Sequence, residues 1–279
     1  MKIPRNVVVV LAMASILAAC SKEQSETAGP LKGTVRVLGS ETTGSLVRAL
    51  TTVFGKDHPQ VQFEIENSNS KMGLSATRSG AVDLGMSITE LGPDDQDLKA
   101  YVIARDGLCM LVNRGNPVEA LTDDQIKGIF KGETTSWKDV GGKDAEIERV
   151  NHSEVRTTLV RFAHYLDLQV SDMKYSVVVA SADSDAIKAV SGNPNAVTYS
   201  SIASALQAVA GGSPVKLIGL GGVPPTPENV AAGKVPVVYD VQLVTKGEPK
   251  EPIKSFVEFA TSAGAAETVK SKSFAPPKS

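Results

Sequence analysis

The fold of this chain is organised around one stretch, which reads Val35-Arg36-Val37-Leu38-Gly39-Ser40-Glu41-Thr42-Thr43-Gly44-Ser45-Leu46. It predicts a short strand that runs into a hydroxyl-rich loop and then opens a helix. Apolar residues at helical spacing indicate that helix, namely Leu46, Leu50, Val53 and Phe54. The hydroxyls stand where unpaired backbone N–H groups carry partial positive charge and favour an anion. The alternative for this stretch is an ordinary N-cap that uses one hydroxyl and leaves the others in solvent.

Residues 1–19 predict a targeting segment. Lys2 and Arg5 give it a positively charged start, and its apolar run is shorter than the roughly 20 residues that span a bilayer. The segment ends in small residues before Cys20, which resembles a bacterial lipoprotein signal and predicts a lipid on Cys20. The alternative is a Cys that lies by chance near an ordinary cleavage site. Residues 20–30 are polar and predict a flexible tether.

Charge and metal-ligating residues exclude several classes of function. Cleavage after residue 19 removes two of the 29 basic residues, so 27 face 31 acidic ones and the net charge is −4. No basic stripe is present, so we expect no nucleic-acid partner. Cys109 lies in an apolar run typical of a small core residue, and His58, His152 and His164 show no metal spacing. We therefore expect no metal and no cofactor.

The order of elements predicts an α/β chain with two lobes. Strand and helix signals alternate after the tether, and about 250 residues suffice for one large or two modest lobes. Two long apolar stretches, Tyr101 to Asn113 and Val235 to Thr245, predict strands far apart in the chain. They indicate a polypeptide that crosses from one lobe to the other and then crosses back.

Several motifs together resemble a known family. They are Gly39–Thr43, Ala81–Ser87, Ile103–Gly107, Leu121–Gly142, Asn193–Ser201 and Leu243–Gly247. The chain resembles the phosphate-binding periplasmic proteins of ABC importers over residues Thr34 to Pro277. The element Leu121–Gly142 is the most specific, because its length makes a chance match implausible.

The resemblance implies a type II periplasmic binding protein fold, in which a ligand cleft lies between two lobes joined by two crossing strands. It places lobe one at 31–105 plus 240–279 and lobe two at 106–239. It implies a monomer that binds inorganic phosphate or a related oxyanion and delivers it to an importer permease. With the lipid on Cys20, the protein would be anchored on the periplasmic side of the envelope. Ser21 differs from an inner-membrane retention signal, which favours the outer membrane.

The ligand groups that the resemblance implies come from three loops of lobe one and one loop-to-helix junction of lobe two. Hydroxyls and backbone N–H groups suit phosphate because each donates one hydrogen bond in a dry site. Carried onto this sequence, the candidate ligand residues are Thr42, Thr43, Ser70, Lys71, Ser87, Glu154, Arg156, Thr157 and Thr158.

The lobe-two motif departs from the family pattern Arg-x-Asp/Glu-x-Ser-Gly-Thr. His152 stands for the Arg, Arg156 for the Ser and Thr157 for the Gly, and only Glu154 and Thr158 keep their residue type. The loss of Gly matters because Gly allows close approach of the backbone to a ligand. Arg156 then has two alternatives: a forked contact to the oxyanion, or a pair with Glu154 that leaves the site.

The ligand loops of lobe one also depart from the family pattern. The family places Asp, or Ser followed by Arg, after the serine that corresponds to Ser87, and this chain has Ile88-Thr89. Such an acidic acceptor would select protonated phosphate over sulfate. One explanation is a re-specified oxyanion site in which Arg156 and Lys71 supply charge. The other is a paralogue with altered or lost anion binding that acts as a sensor or interaction lipoprotein.

Three classes of function follow from these observations. The first is a solute receptor for an importer, which is the function we expect. The second is an enzyme such as a phosphatase that uses a Ser or Thr nucleophile beside His152. No Gly-x-Ser-x-Gly elbow and no metal motif accompany the hydroxyls, so we expect no catalytic residue. The third is a non-transporting lipoprotein that senses or adheres through its closed lobes.

Overall fold

A computed structural model describes residues 30–153, 156–179 and 182–278 of the chain. The predicted targeting segment, Cys20, most of the tether and Glu154 lie outside the described residues. Within these ranges no helix is long and apolar enough to cross a membrane.

Strands and helices alternate along the described chain, as the sequence predicts. The strands are β1 Gly33–Ser40, β2 Val61–Ser68, β3 Leu84–Ser87, β4 Leu98–Asn113, β5 Glu148–His152, β6 Val177–Val179, β7 Ala196–Ser201, β8 Val215–Ile218 and β9 Val238–Lys246. The helices are α1 Glu41–Asp57, α2 Ser70–Ser79, α3 Asp123–Lys131, α4 Thr157–Tyr165, α5 Asp183–Gly192, α6 Ile202–Ala210, α7 Pro227–Ala231, α8 Ile253–Thr261 and α9 Ala266–Ser271.

Two sheets share the strand β4. In the first, β1 lies parallel to β2 and β3, and β9 runs antiparallel to β3 and β4. In the second, β4 runs antiparallel to β7 and β8, and β5 lies parallel to β6 and β7. We call the half around the first sheet lobe one and the half around the second sheet lobe two. The predicted α/β fold with two lobes is confirmed.

The crossing of β4 takes place at its middle. β4 pairs with β9 as far as Gly107 and with β7 from Leu108 onward. Arg105 and Asp106 interrupt the apolar run of this strand, yet the strand is continuous, with a register shift between Val102 and Ala104. The strand continues because Arg105 and Asp106 find partners inside the protein. The predicted lobe boundaries at 105/106 and 239/240 fall beside this crossing and stay a prediction.

Each lobe has its own aromatic core. In lobe one, α1 carries the predicted apolar stripe, and Phe54 packs edge-on against Phe63 and Phe256 with ring centroids 6.1 and 5.4 Å apart. In lobe two, Phe162 stacks on Tyr199 at 4.0 Å, and Phe130 meets both rings. Cys109 is buried and unpaired, as expected of a small core residue. The aromatic contacts of each lobe are local, while the buried apolar residues of both lobes form one continuous cluster.

A buried carboxylate ties the crossing strands to lobe two. Asp106 of β4 accepts hydrogen bonds from the backbone N–H groups of Gly107 and Ala203, at 2.8 and 3.1 Å. It also accepts from the hydroxyls of Ser201 and Tyr239. Because Tyr239 belongs to β9, Ser201 to β7 and Ala203 to α6, the side chain of Asp106 in β4 joins four elements at the junction of the lobes.

Candidate functional site

Three helix N-termini meet at one small cavity between the lobes. α1 and α2 reach it from lobe one, and α4 reaches it from lobe two. The cavity is narrow, with a volume of about 10 Å³, and it is partly open to solvent. Its lining is rich in hydroxyl groups and consists of Ser40, Thr42, Asn69, Ser70, Ile88, Arg156, Thr157 and Thr158. Each N-terminus carries a partial positive charge, so the shared space favours an anion.

The first N-terminus follows β1 without an intervening loop. Gly39 has φ +147°, and a Cβ there would lie 2.1 Å from the carbonyl oxygen of Met86, so only Gly fits this turn. Ser40 is the N-cap of α1, yet its side chain makes no capping hydrogen bond. The predicted hydroxyl-rich loop is therefore the first turn of the helix itself. The ordinary capping alternative is wrong for Ser40, which lines the cavity instead.

The second N-terminus is brought close by another glycine. At Gly73 a Cβ would lie 2.9 Å from the Cα of Gly39, so α2 packs directly on the end of β1. Asn69 caps α2 by accepting the N–H of Met72 at 3.0 Å. The Oγ of Ser70 accepts the N–H of Ile88 at 3.1 Å. That contact uses a lone pair of Ser70, so its hydroxyl hydrogen can be donated to a ligand.

The third N-terminus contains a buried hydroxyl that indicates a ligand site. Thr158 is 1 % exposed, and its Oγ1 has no hydrogen-bond partner among the described residues. A buried polar atom without a partner is unfavourable, and a bound oxyanion would satisfy it. The neighbouring Thr157 meets Thr89 of lobe one, with 3.1 Å between their hydroxyl oxygens. This contact and the Nη2 of Arg161, which donates to the Ile88 carbonyl at 2.9 Å, hold the lobes together.

Arg156 lines the cavity and is engaged with carboxylates. Its Nη2 donates to Oδ1 of Asp183 at 2.9 Å, and its Nη1 lies 3.7 Å from Oε2 of Glu41. The sequence predicted an oxyanion or Glu154 as the partner of Arg156 and did not predict Asp183. Glu154 is not among the described residues, so its pairing stays a prediction. Asp183 also accepts the hydroxyl of Thr42 at 3.2 Å, which adds another link between the lobes.

Burial and charge shift the pKa of two groups in this network. Burial raises the pKa of Glu41, and the negative charge of Asp183 raises it further, against hydrogen bonds from Ser184 and the Asp183 N–H. Burial lowers the pKa of His152, although Asp183 opposes the shift. The Nε2–H of His152 donates to the Tyr199 carbonyl at 2.9 Å, so the imidazole is directed into lobe two.

The structure brings five of the predicted ligand residues to the cavity, namely Thr42, Ser70, Arg156, Thr157 and Thr158. Three others lie elsewhere. Thr43 is buried outside the lining, and Lys71 points into solvent. The hydroxyl of Ser87 bonds to the carbonyl of Thr89 at 3.0 Å. The assignment of all these residues as ligand groups stays a prediction.

Sequence reasoning left some cavity residues out. Ser40 and Asn69 could have been found as N-cap types directly before a helical pattern. Glu41 and Asp183 lie behind the cavity lining, and no such signal marks them, because they meet across 142 residues of sequence. A second, larger cleft of about 560 Å³ lies beyond these two carboxylates, between α1 of lobe one and the helices α5 and α6 of lobe two.

Comparison with known proteins gives a consistent picture. The model of a family described as the PBP superfamily domain matches residues 24–263. The phosphate-binding protein PstS of Bacillus subtilis (strain 168) is 28% identical over 273 residues, which cover 92% of this chain and 89% of that protein. PstS of Borreliella burgdorferi (strain ATCC 35210 / DSM 4680 / CIP 102532 / B31) is 20% identical, with 97% of this chain and 98% of that protein covered.

Two solved structures that resemble this chain are also of phosphate transport proteins. A structure from Clostridium perfringens, described as a phosphate ABC transporter substrate-binding protein with bound phosphate, superposes with a TM-score of 0.80 at 27% identity. It covers 88% of this chain and 100% of that chain. An ABC-type phosphate transport receptor from Vibrio cholerae gives a TM-score of 0.68 at 27% identity, with 87% of this chain and 100% of that one covered.

Proposed function

Because the chain belongs to the PBP superfamily, we propose that it is an extracytoplasmic solute-binding protein that binds inorganic phosphate or a related oxyanion. The oxyanion would bind in the cavity between the lobes and be delivered to the permease of an ABC importer. The relatives and the C. perfringens and V. cholerae structures named above support this class of ligand and of transporter.

One observation carries the proposal: three helix N-termini converge on a hydroxyl-lined cavity that contains an unpartnered, buried threonine hydroxyl. Backbone N–H groups and hydroxyls together supply hydrogen bonds in several directions, which suits a tetrahedral oxyanion. Contacts such as Thr42 to Asp183 and Thr89 to Thr157 close the lobes around this space. A partly enclosed site lowers the local dielectric constant and strengthens each of these interactions.

The enzyme alternative has less support. A phosphatase would need a base beside the nucleophilic hydroxyl, yet His152 is 2 % exposed, lies outside the cavity lining and donates to the Tyr199 carbonyl. No cluster of metal ligands occurs among the described residues. We therefore propose that the protein binds its anion without converting it. A sensor or interaction lipoprotein remains the second candidate, because Glu41 and Asp183 stand close to the cavity and change its charge.

Binding can be tested on the Thr158 hydroxyl. Thr158→Val keeps the shape of the side chain and removes one donor to the anion, and a hydrogen bond to a charged group contributes roughly 1.5–3 kcal/mol. We expect phosphate affinity to fall by roughly ten- to a hundred-fold. Titration calorimetry with phosphate, sulfate, arsenate and a phosphonate measures this. Thr52→Val, on the exposed side of α1, is the matched control and should bind as the parent does. A parent that binds none of these anions would favour the sensor role instead.

The lipid anchor is part of the proposal and lies outside the described residues. Cys20→Ala should release the protein from the membrane into the soluble periplasmic fraction, because no lipid can then be attached. Fractionation of cells that express the parent and the variant measures this. Retention of Cys20→Ala in the membrane fraction would contradict the lipoprotein assignment. Recovery of the parent with the outer membrane, separated on a density gradient, would support anchoring there.

A further inference from the structure

Two carboxylates place an excess of negative charge directly behind the cavity. The guanidinium of Arg156 lines the cavity, and Asp183 and Glu41 lie 2.9 and 3.7 Å from it. One positive and two negative charges leave one negative charge in excess. The remaining side chains of the lining are uncharged. Among the described residues, the positive charge of this wall is thus already more than balanced before a ligand arrives.

Glu41 is held in place by lobe two. Its carboxylate accepts the N–H of Asp183 and the hydroxyl of Ser184, both at 3.0 Å. The residue before α5 is Ala182, which has no side-chain acceptor, so Glu41 caps α5 from across the cleft. These bonds do not involve Arg156. Glu41 therefore stays beside the cavity even if the guanidinium turns to a ligand.

Other charged groups around Glu41 do not cancel this excess. His152 stands behind Asp183, with its Nδ1 4.0 Å from Oδ1. Arg48 and Lys188 line the larger cleft with Glu41, but the charges that shift the pKa of the Glu41 carboxyl are those of Asp183 and Arg156. Burial and the charge of Asp183 raise the pKa of Glu41, so the carboxylate takes up a proton more readily than usual. Burial is the largest cause of this pKa shift, and the charge of Asp183 outweighs that of Arg156.

We infer that the cavity takes the singly charged form of a tetrahedral oxyanion in preference to the doubly charged form, and that Glu41 sets this preference. The inference rests on the proposed function. Each helix N-terminus supplies about half a positive charge, and the excess negative charge offsets most of the three, so the field that remains suits a ligand of low charge. Coulomb energy is proportional to the ligand charge, so the excess negative charge opposes a dianion twice as strongly as a monoanion. For phosphate, the dihydrogen form would be the one that binds.

Glu41→Gln tests this inference. The Gln side chain has the same length, and its amide oxygen can still accept the Asp183 N–H, so the capping contact is retained. Sulfate and perchlorate are tetrahedral probes that keep two charges and one charge, respectively, throughout the neutral range. If the variant binds perchlorate more tightly by some factor, it should bind sulfate more tightly by the square of that factor. We expect the gain for sulfate to be roughly ten-fold or more, the usual effect of removing a nearby like charge.

Phosphate supplies a second readout. Its affinity for the parent should fall as the pH rises and the dianion replaces the monoanion, and this fall should be smaller for Glu41→Gln. Calorimetric titrations at several pH values measure both effects. Asp57→Asn is the matched control, since it removes the same charge from the exposed far end of α1. The rise of a helix puts Asp57 about 24 Å from Glu41, so the control should bind as the parent does.

The outcomes separate the inference from the proposed function. A parent that binds phosphate, together with a Glu41→Gln variant that binds sulfate and phosphate no differently, would overturn the charge preference and leave the proposed function in place. Equal gains for perchlorate and sulfate would also overturn it, because a change in lobe closure and not charge would then be the cause. A parent that binds none of the three anions would overturn the proposed function and the inference with it.

Discussion

Arg156→Ala should abolish measurable phosphate binding, with a loss of affinity of a hundred-fold or more, and should also destabilise lobe two. Asp183 is 2 % exposed and would lose its cationic partner while it still faces Glu41. Removal of one member of a buried ion pair typically costs about 3–5 kcal/mol, because the other charge remains buried. The two carboxylates would then repel the incoming anion. Calorimetry gives the affinity, and urea unfolding gives the free energy of unfolding.

Two further variants distinguish the roles of Arg156. Arg156→Ser introduces the residue that the family pattern has, yet it should not restore binding, because both carboxylates remain and Thr157 still replaces the glycine of the pattern. Arg156→Ala combined with Asp183→Asn should recover part of the lost stability, since the unpaired buried charge is gone. Phosphate binding by Arg156→Ala at parental affinity would refute the role that we give to this side chain.

Asp106→Ala should lower the free energy of unfolding by about 3–5 kcal/mol, because four buried donors would lose their acceptor at the junction of the lobes. Asp106→Asn is the matched variant. Its amide oxygen can still accept the two backbone N–H groups, and its amide nitrogen can donate to the hydroxyls of Ser201 and Tyr239. We therefore expect the Asn variant to keep most of the stability at neutral pH. Urea unfolding of the three proteins tests this order.

The stabilities of the parent and of Asp106→Asn should also depend differently on pH. Burial raises the pKa of Asp106 from 3.8 to about 6 in the folded protein, against the hydrogen bonds that it accepts. Between these pH values the folded state holds a proton that the unfolded state releases. Protonation of Asp106 therefore contributes fully to the free energy of unfolding below pH 3.8, and this contribution is lost as the pH rises to about 6. The shift corresponds to about 3 kcal/mol. Relative to the parent, Asp106→Asn should gain stability between these pH values. Parallel pH profiles of parent and variant would contradict the buried, titrating carboxylate.

Local patterns predicted the elements around the site well. The stripe of Leu46, Leu50 and Phe54 predicted α1, and all three side chains are buried in it. The hydroxyls before that stripe predicted an anion site, and Thr42 does line the cavity. The prediction of the helix succeeds because helix periodicity depends on residues a few positions apart, whereas the anion site stays a prediction. Boundaries were less certain, as the continuous strand β4 shows, because partners elsewhere in the fold decide where a strand ends.

The sequence alone determined the α/β class, the two crossing strands and the hydroxyl-rich starts of the helices. It also predicted a targeting segment, which stays a prediction. Only the tertiary structure decided which of these starts share one cavity and what lies behind it. Lys71 and Arg156 were both candidate cations, and the structure turned one to solvent and buried the other beside Asp183 and Glu41. Thr42 and Asp183 are 141 residues apart. Their contact depends on how the two lobes meet, and no local pattern in the chain encodes that distance.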